Sequence, residues 1–514
     1  MPLKTLVKPS EYHDSVTLML VARQLSQLPG VSDAAVVMAT EANKGLLKDA
    51  GLLTPKMDSA SPNDLVITVS GEDSVLESAL AEAEKLLQKK QTGGGAIAYR
   101  QIGTTVPQTL RGGVRANPAA NLAVISVAGR YAAAEAWDAL YNGLHVLLFS
   151  DNVPLEDEIA LKRYAVERGL LLMGPGAGTA IINGVALGFA NALPSGEVGI
   201  VSAAGSGLKE VSTLLAKRGV GISQGIGTGG RDLKEEVGGL MMLAGLKALQ
   251  ADPATRVIVL ISKPPAESVS RKVFAQAAQS DKPTVVCFLG TSPTPSAERG
   301  RVRYTGTLEE AATIAAALAS DASLSHKQER REVREEELRA RQGYLRALFS
   351  GGTLCYEAQV IWRDLLSEPV LSNAPLDDAN RLPDALHSQG HTAVDLGEEE
   401  FTVGRPHPMI DNDLRIRRLL QEARDPETAV VMLDIVLGYG AHPDPASELG
   451  PAIQQAKELA RQSGRDLPVI ASVTGTEQDP QCLSRQVAAL EAAGVVVCES
   501  NAAAARLCVE FIND

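Results

Sequence analysis

What this chain lacks narrows its class before any motif is read. Five cysteines in 514 residues (Cys287, Cys355, Cys482, Cys498, Cys508) are odd in number, far apart and without a CxxC pair. That excludes a disulfide framework and a paired-cysteine zinc site, and the thiols read as reduced and mostly core. Aromatic residues are scarce at 4%, so apolar cores must come from Ala, Val, Leu and Ile, and with 46 glycines this favours layered α/β domains. Basic charge is short too: 49 Lys and Arg stand against 62 Asp and Glu, a net charge of -13, which argues against nucleic-acid and anionic-membrane partners. No uninterrupted apolar run approaches the roughly 20 residues needed to span a bilayer, and the start, MPLKTLVKPSEYHDS, has no apolar signal core. The expectation is a soluble cytoplasmic protein with no metal centre.

The length points to roughly three or four domains. Residues 1–90 alternate a helix over Ser15–Leu28, a strand over Ser32–Met38, the strand DLVITVSG and a helix over Asp73–Leu87, the pattern of a small ferredoxin-like α+β module. Residues 91–119 are punctuated by glycine and proline and read as a linker. Over 120–194 the order LAVISV, a helix over Ala132–Asn142, HVLLFS, an acidic helix over Leu155–Arg168 and LLLMG gives βαβαβ, half of a doubly wound Rossmann-like fold. It has no GxGxxG; only Gly129, followed by Arg130, stands after the first strand. Residues 321–344 are dense in Arg and Glu at i,i+4 spacing and read as a charged helical connector.

The stretch around which the chain is organised is GEVGIVSAAGSGLKEVSTLLAKRG, residues 196–219. A strand ends at Ser202, and a small-residue turn through Gly205, Ser206 and Gly207 opens a helix near Leu208. Such a turn aims several backbone N–H groups at one point where the helix dipole favours an anion, although ordinary βα packing uses the same glycines. The segment is answered later by RALFSGGTLCYEAQVIW, with Ser350, Gly351, Gly352 and Thr353 at the turn, and three further matches follow in the same order. Repetition in order points to duplication. We assign two flavodoxin-like copies, 195–320 and 345–514, whose helix starts, packed about a pseudo-twofold axis, would hold one phosphoryl group from opposite sides.

Other candidates sit in loops. Gly174 and Pro175 follow a strand end, where open α/β sheets bind ligands. Gly227, Gly229 and Gly230 precede Arg231 and a helical run, and a guanidinium beside flexible backbone suits a carboxylate or phosphate, with a plain surface loop as the alternative. His407 in GRPHP, with Arg405 beside it, and His442 in GYGAHPD are either catalytic or loop-ordering residues.

The run HVLLFSDNVPLEDEIALKRYAVERGLLLMGPGAGTAIINGVALGFANALPSGEVGIVSAAGSGLKEV resembles the succinyl-CoA synthetase α-subunit superfamily in the order of its turns, and GRPHPMIDNDLRIRRLLQEARDPETAVVMLD is similar to a later segment of the same superfamily. The whole arrangement, with IGTGGRDLKEEVGG, is similar to the FdrA family of acyl-CoA-synthetase-like chains. That resemblance implies a carbamoyltransferase subunit in purine and allantoin breakdown (oxamate + carbamoyl phosphate ⇌ oxalurate + phosphate), acting as an oligomer with FdrA-operon-type partner subunits on carbamoyl phosphate or another small acyl or phosphoryl substrate. The helix starts would hold phosphate, Arg231 would orient a substrate carboxylate, and GRPHP would close the pocket. CoA or a nucleotide is compatible with this reading but not required by it. The superfamily carries its phosphoryl group on a histidine in a Gly-His-Ala-Gly loop; the corresponding stretches here, GTSPTPSAERGRVRYTG and GTEQDPQCLSRQVAALEAAG, hold no histidine. Two alternatives stay open: an ADP- or GDP-forming acid:CoA ligase subunit that uses 120–190 for CoA, and a non-catalytic scaffold subunit.

Overall fold

The computed structural model describes residues 2–11, 13, 15–26, 28–49, 51–93, 107–291, 301–320, 343–402 and 406–512. The middle of the expected linker, most of the charged connector, the loop over 292–300 and Arg405 lie outside them. The chain divides into two units, residues 1–118 with 399–407, and 119–398 with 408–514.

In the first unit β1 (Leu3–Lys8), α1 (Ser15–Ser26), β2 (Val31–Met38), α2 (Glu41–Asp49), α3 (Pro55–Asp58), β3 (Leu65–Gly71) and α4 (Asp73–Gly93) follow one another. The sheet is antiparallel in the order β1-β3-β2. The central β3 is apolar on both faces: Leu65, Ile67 and Val69 pack on Leu18, Val21 and Leu25 of α1 and on Leu76, Ala79 and Ala83 of α4, while Val66 meets Leu47, Leu52 and Met57. A helix, α5 (Leu110–Ala116), occupies part of the stretch expected to be linker. Thr109 caps it by accepting a hydrogen bond from the Gly112 N–H at 3.1 Å, which stabilises a first turn that the two glycines weaken.

The second unit begins with β4 (Leu122–Ile125), α6 (Gly129–Tyr141), β5 (His145–Leu148), α7 (Leu155–Glu167) and β6 (Leu172–Met173), a parallel sheet in the order β4-β5-β6. The next hairpin, β7 (Thr179–Ile182) and β8 (Val185–Gly188), does not complete that sheet. It pairs antiparallel with β10 of the following one.

The first copy runs β9 (Ser195–Ser202), α8 (Gly205–Lys217), β10 (Ile222–Gly227), α9 (Leu240–Ala251), β11 (Val257–Ser262), α10 (Glu267–Ala277), β12 (Thr284–Phe288), β13 (Val302–Tyr304) and α11 (Leu308–Ala319). The second runs β14 (Tyr344–Phe349), α12 (Gly352–Leu365), β15 (Val370–Ser372), β16 (His391–Asp395), α13 (Asp413–Arg424), β17 (Thr428–Val436), α14 (Pro445–Gln462), β18 (Val469–Thr474), α15 (Leu483–Ala492), β19 (Val495–Cys498) and α16 (Asn501–Glu510). The sheet orders are β13-β12-β11-β9-β10-β7-β8 and β15-β16-β14-β17-β18-β19. Without the added β7, β8 and β15, both read 2-1-3-4-5, the flavodoxin-like order. Central strands such as β11 and β17 are buried along their whole length, as a sheet covered on both faces requires. After Arg231 the chain makes turns up to Leu240 instead of the expected immediate helix.

One core spans both copies. Leu208, Val211 and Leu215 of α8, Leu354, Ala358 and Trp362 of α12, and Ala502, Ala505 and Cys508 of α16 belong to it, and Trp362 Nε1 donates to the Ala505 carbonyl at 2.8 Å. Two buried glutamates, Glu210 and Glu357, each five residues into its helix, cross the join reciprocally. Glu210 of the first copy accepts the N–H of Asn501, the first residue of α16, at 2.9 Å and the Thr474 hydroxyl at 2.5 Å. Glu357 of the second copy accepts the N–H of Leu308, the first residue of α11, at 2.6 Å and Asn501 Nδ2 at 2.8 Å. Each copy thus caps the last helix of the other, where orphan amides and the helix dipole favour a carboxylate.

Burial lifts the Glu357 carboxyl to about 8, against 4.5 for a free glutamate. Its folded pKa is raised, so its contribution to stability is complete below about 4.5 and is lost as pH rises through about 8. Glu357→Gln forfeits one cap hydrogen bond, worth about 1 kcal/mol, but cannot ionise. In thermal melts the variant should be less stable than wild type at pH 5, with the gap narrowing or reversing by pH 8; a constant gap would mean that Glu357 does not hold its proton in the fold.

Candidate functional site

The sheet registers align the two copies at their strand ends. Ser202 of β9 pairs with Gly227 and Ile261, whereas Phe349 of β14 pairs with Asp395 and is followed opposite by Asp434. Asp395 therefore stands where the first copy has Gly227, and Asp434 where it has Ile261.

The two helix starts meet. The Thr353 N–H donates to Ser206 Oγ at 3.1 Å. A Cβ on Gly207 would lie 3.0 Å from the Thr353 methyl and the Ile261 side chain, and one on Gly351 would lie 3.0 Å from the Ser206 Cβ. The close approach of the tips is what requires glycine.

The tips differ in what they hold. In the second copy Asp434, fully buried, accepts the N–H groups of Ser350 and Gly351 at 2.7 and 2.8 Å and the Ser350 hydroxyl at 3.0 Å. Arg415, also buried, lies 3.5 Å from the same carboxylate, and burial pulls its pKa down. The expectation that Ser350 and Gly351 offer their amides to a bound phosphate is corrected, because a carboxylate of the chain already fills that turn. In the first copy Ser202 Oγ accepts the Ala204 N–H at 3.0 Å, while the N–H groups of Gly205, Ser206 and Gly207 donate to no acceptor among the described residues. Gly205 is exposed, as is Gly230, whose Cβ position lies 4.0 Å from the Ala203 carbonyl.

Other loops close around that open tip. A Cβ on Gly229 would lie 2.5 Å from the Pro175 carbonyl, so this glycine brings the first copy against the Rossmann-like domain, while one on Gly174 would lie 2.2 Å from the Leu148 carbonyl within that domain. Gly227 is held by the approach of the Thr179 carbonyl, and Gly129 by that of Asp151. Arg130 lies over the Tyr131 ring.

Arg231 has an internal role that the sequence does not reveal. Its guanidinium pairs with buried Glu158 at 2.8 Å and donates to the Val153 carbonyl at 2.7 Å. Glu158 is shared with Lys162, whose ammonium also binds Asp232 and the Thr228 carbonyl. Through Nη2, Arg231 thus joins the first copy to the Rossmann-like domain. His442 is likewise engaged: Nδ1 accepts the Asp444 N–H at 3.1 Å and Nε2 lies 3.2 Å from Glu448, ordering the entry to α14. His407 belongs to the first unit and is partly buried.

Three charged residues at the junction escape a motif search. Lys263 follows β11, Asp395 ends β16 and Asp434 interrupts the apolar run VVMLDIV. An acid inside an otherwise apolar strand was the only signal available. Burial raises the Asp395 carboxyl to about 7.

A buried-sheet scaffold of two flavodoxin-like copies and a Rossmann-like domain is that of an acyl-CoA synthetase-like protein of succinyl-CoA synthetase type. The family description "CoA-ligase" matches residues 348–510, and "AllF, heavy metal-associated domain" matches residues 1–101. Within this class the chain belongs to the family of the uncharacterized protein YahF of Escherichia coli K12, to which it is 45% identical over 100% of its own length and 99% of that protein. It is also 25% identical to the ADP-forming sulfoacetate-CoA ligase subunit SauD of Bilophila wadsworthia, over 38% of this chain and 68% of that one. Identity to the succinate–CoA ligase α subunit of Methanothermobacter thermautotrophicus is 26%, over 35% and 61% of the two chains.

A heavy-metal site does not fit the first unit. Residues 1–101 contain no cysteine, and His13 Nε2 is bound to Glu11 at 3.1 Å, which is itself paired with Lys8 at 2.9 Å. No group of three or more metal-ligating side chains occurs among the described residues. Among them, too, no helix is long and apolar enough to cross a membrane.

Removing Asp434 should leave Arg415 as an uncompensated buried charge and orphan two amides. Asp434→Ala should cost about 3–5 kcal/mol in denaturant unfolding, and adding Arg415→Met should recover part of that loss; additive losses would deny the coupling.

Proposed function

We propose that the chain is an acyl-transfer subunit of acyl-CoA synthetase type that takes an acyl phosphate as its electrophile. The observation that carries this reading is the helix start of the first copy: the Gly205, Ser206 and Gly207 amides are unbonded among the described residues, whereas in the other copy Ser206 Oγ takes the Thr353 amide and Asp434 takes the Ser350 and Gly351 amides just before the helix. One open helix start suits one leaving phosphate. The reaction needs no phosphohistidine. A CoA thiol attacks the acyl carbon, the carbon–oxygen bond to phosphate breaks, and the thiol proton leaves with the phosphate or a nearby base. Preorganised amides aimed at the departing oxyanion would supply the stabilisation. The CoA-ligase match over 348–510 and the likeness to two CoA-ligase subunits support this reading. In it the start of α6, at Gly129 and Arg130, receives a CoA phosphate. Because both CoA-ligase relatives are subunits, partner chains belong to the proposal.

A second reading, the FdrA-type carbamoyltransferase, is favoured by one observation: neither GTSPTPSAERGRVRYTG nor GTEQDPQCLSRQVAALEAAG holds a histidine. Carbamoyl phosphate is itself an acyl phosphate, so this reading differs only in its nucleophile, the amide nitrogen of oxamate in place of a thiol.

The readings separate in a single set of incubations of the chain, alone and with the products of neighbouring genes. Acetyl phosphate with CoA should yield a thioester and phosphate under the first reading, and oxalurate with phosphate should yield carbamoyl phosphate under the second. Turnover requiring ATP and a phosphorylated residue would contradict both.

A further inference from the structure

We propose that the junction of the two copies is an oxyanion site gated by a proton on Asp395, with Lys263 as its cationic wall. Asp395 is 2% exposed. Its Oδ1 accepts the Gly397 N–H at 2.9 Å, but no hydrogen bond reaches Oδ2 from any described residue. Oδ2 faces the first residue of α12: a Cβ on Gly352 would lie 2.5 Å from it and 3.5 Å from Lys263 Nζ. Lys263 comes from the other copy and makes no hydrogen bond or ion pair with any described residue; its ammonium lies 5.7 Å from the centre of the Tyr356 ring. The Gly352 N–H is also unbonded among the described residues. An ammonium and a carboxyl oxygen, neither with a hydrogen-bonding partner among the described residues, therefore lie 3.5 and 2.5 Å from the Gly352 Cβ position, beside an amide that is also unbonded.

The groups facing Asp395 set the sign of the gate. They are Lys263 after β11, Asp434 on β17, Glu398 on the loop after β16, and the Cys355 thiol on α12, which burial pushes well above its ordinary value. Asp434 is answered by Arg415. With Asp395 ionised, Lys263 and Arg415 balance Asp395 and Asp434, and partly exposed Glu398 adds a screened negative charge. The site then repels an anion. Protonation of Asp395 removes one negative charge and creates an O–H donor, so an oxyanion meets three donors: Lys263, the Gly352 amide and the Asp395 carboxyl. Burial places that protonation near neutral pH, about 7. The identity of the natural ligand, the phosphate of an acyl phosphate, rests on the functional reading above; the gate itself does not.

Sulfate is the probe, since it does not titrate near neutrality. Calorimetric titration of the full chain should give an affinity that falls roughly tenfold per pH unit above about 7. Asp395→Asn should bind sulfate without pH dependence between pH 6 and 8.5, and Lys263→Met should lose binding throughout. Absent or pH-independent sulfate binding by the wild-type chain would overturn the gate, as would an Asp395→Asn variant that keeps the wild-type pH profile. Gated sulfate binding without acyl transfer would leave the gate standing and remove the functional reading; acyl transfer with ungated sulfate binding would do the reverse.

Discussion

The second unit depends on one exchanged interaction, the crossing of Glu210 and Glu357. Each carboxyl group leaves its own copy and caps the last helix of the other. A buried carboxylate without donors would be costly, and a buried helix start without an acceptor equally so. Satisfying both at the same place makes the copies mutually dependent: neither helix end is complete unless the other copy is docked. The shared core around Trp362 follows from that docking, and so does the meeting of the helix tips at Ser206 and Thr353. The spacing from helix start to glutamate is five residues in both copies, which fixes the height at which the helices cross and hence the distance between their tips.

Docked in this way, two copies with the same topology have diverged at their working ends. The first copy keeps glycine and isoleucine at the positions where the second has Asp395 and Asp434. Asp434 takes the Ser350 and Gly351 amides, whose counterparts Ala203 and Ala204 donate to the Ile261 carbonyl and Ser202 Oγ, and Arg415 beside it balances the charge. The tips differ accordingly: the first carries three amides unbonded among the described residues, the second a buried carboxyl near a lysine from its neighbour.

The domain contacts explain why several apparent binding residues are structural. Glu158 binds Lys162 on its own helix and Arg231 from the next domain, while Lys162 reaches Asp232. Glu158, Lys162 and Asp232 are buried and their charges are paired with one another, while Arg231 is partly exposed. Glycines that read as a ligand loop are sites of backbone crossing, where a Cβ at Gly129, Gly174, Gly227 or Gly229 would strike a carbonyl oxygen. Glycine-rich loops at strand ends carry two signals that sequence cannot separate, approach to a ligand and approach to another backbone.

The sequence by itself determined the architecture. Apolar runs bounded by small residues gave the parallel strands, and the ordered repetition of GIVSAAGSG in ALFSGGT gave the duplication, because local pattern and order along the chain are both properties of sequence. It also determined what is missing, a histidine in either loop and any cysteine in the first 101 residues. It did not give α5, whose two glycines oppose a helix that a threonine cap rescues, nor the transfer of β7 and β8 to the next sheet, because strand pairing is a long-range choice. The site was half legible. The turns at Ser202–Gly207 and Ser350–Thr353 were visible, but their meeting, the filling of one by Asp434 and the placing of Lys263 against Asp395 were not. Those pairings join residues separated by more than 80 positions, and only the docking of two folded copies sets which charges face each other.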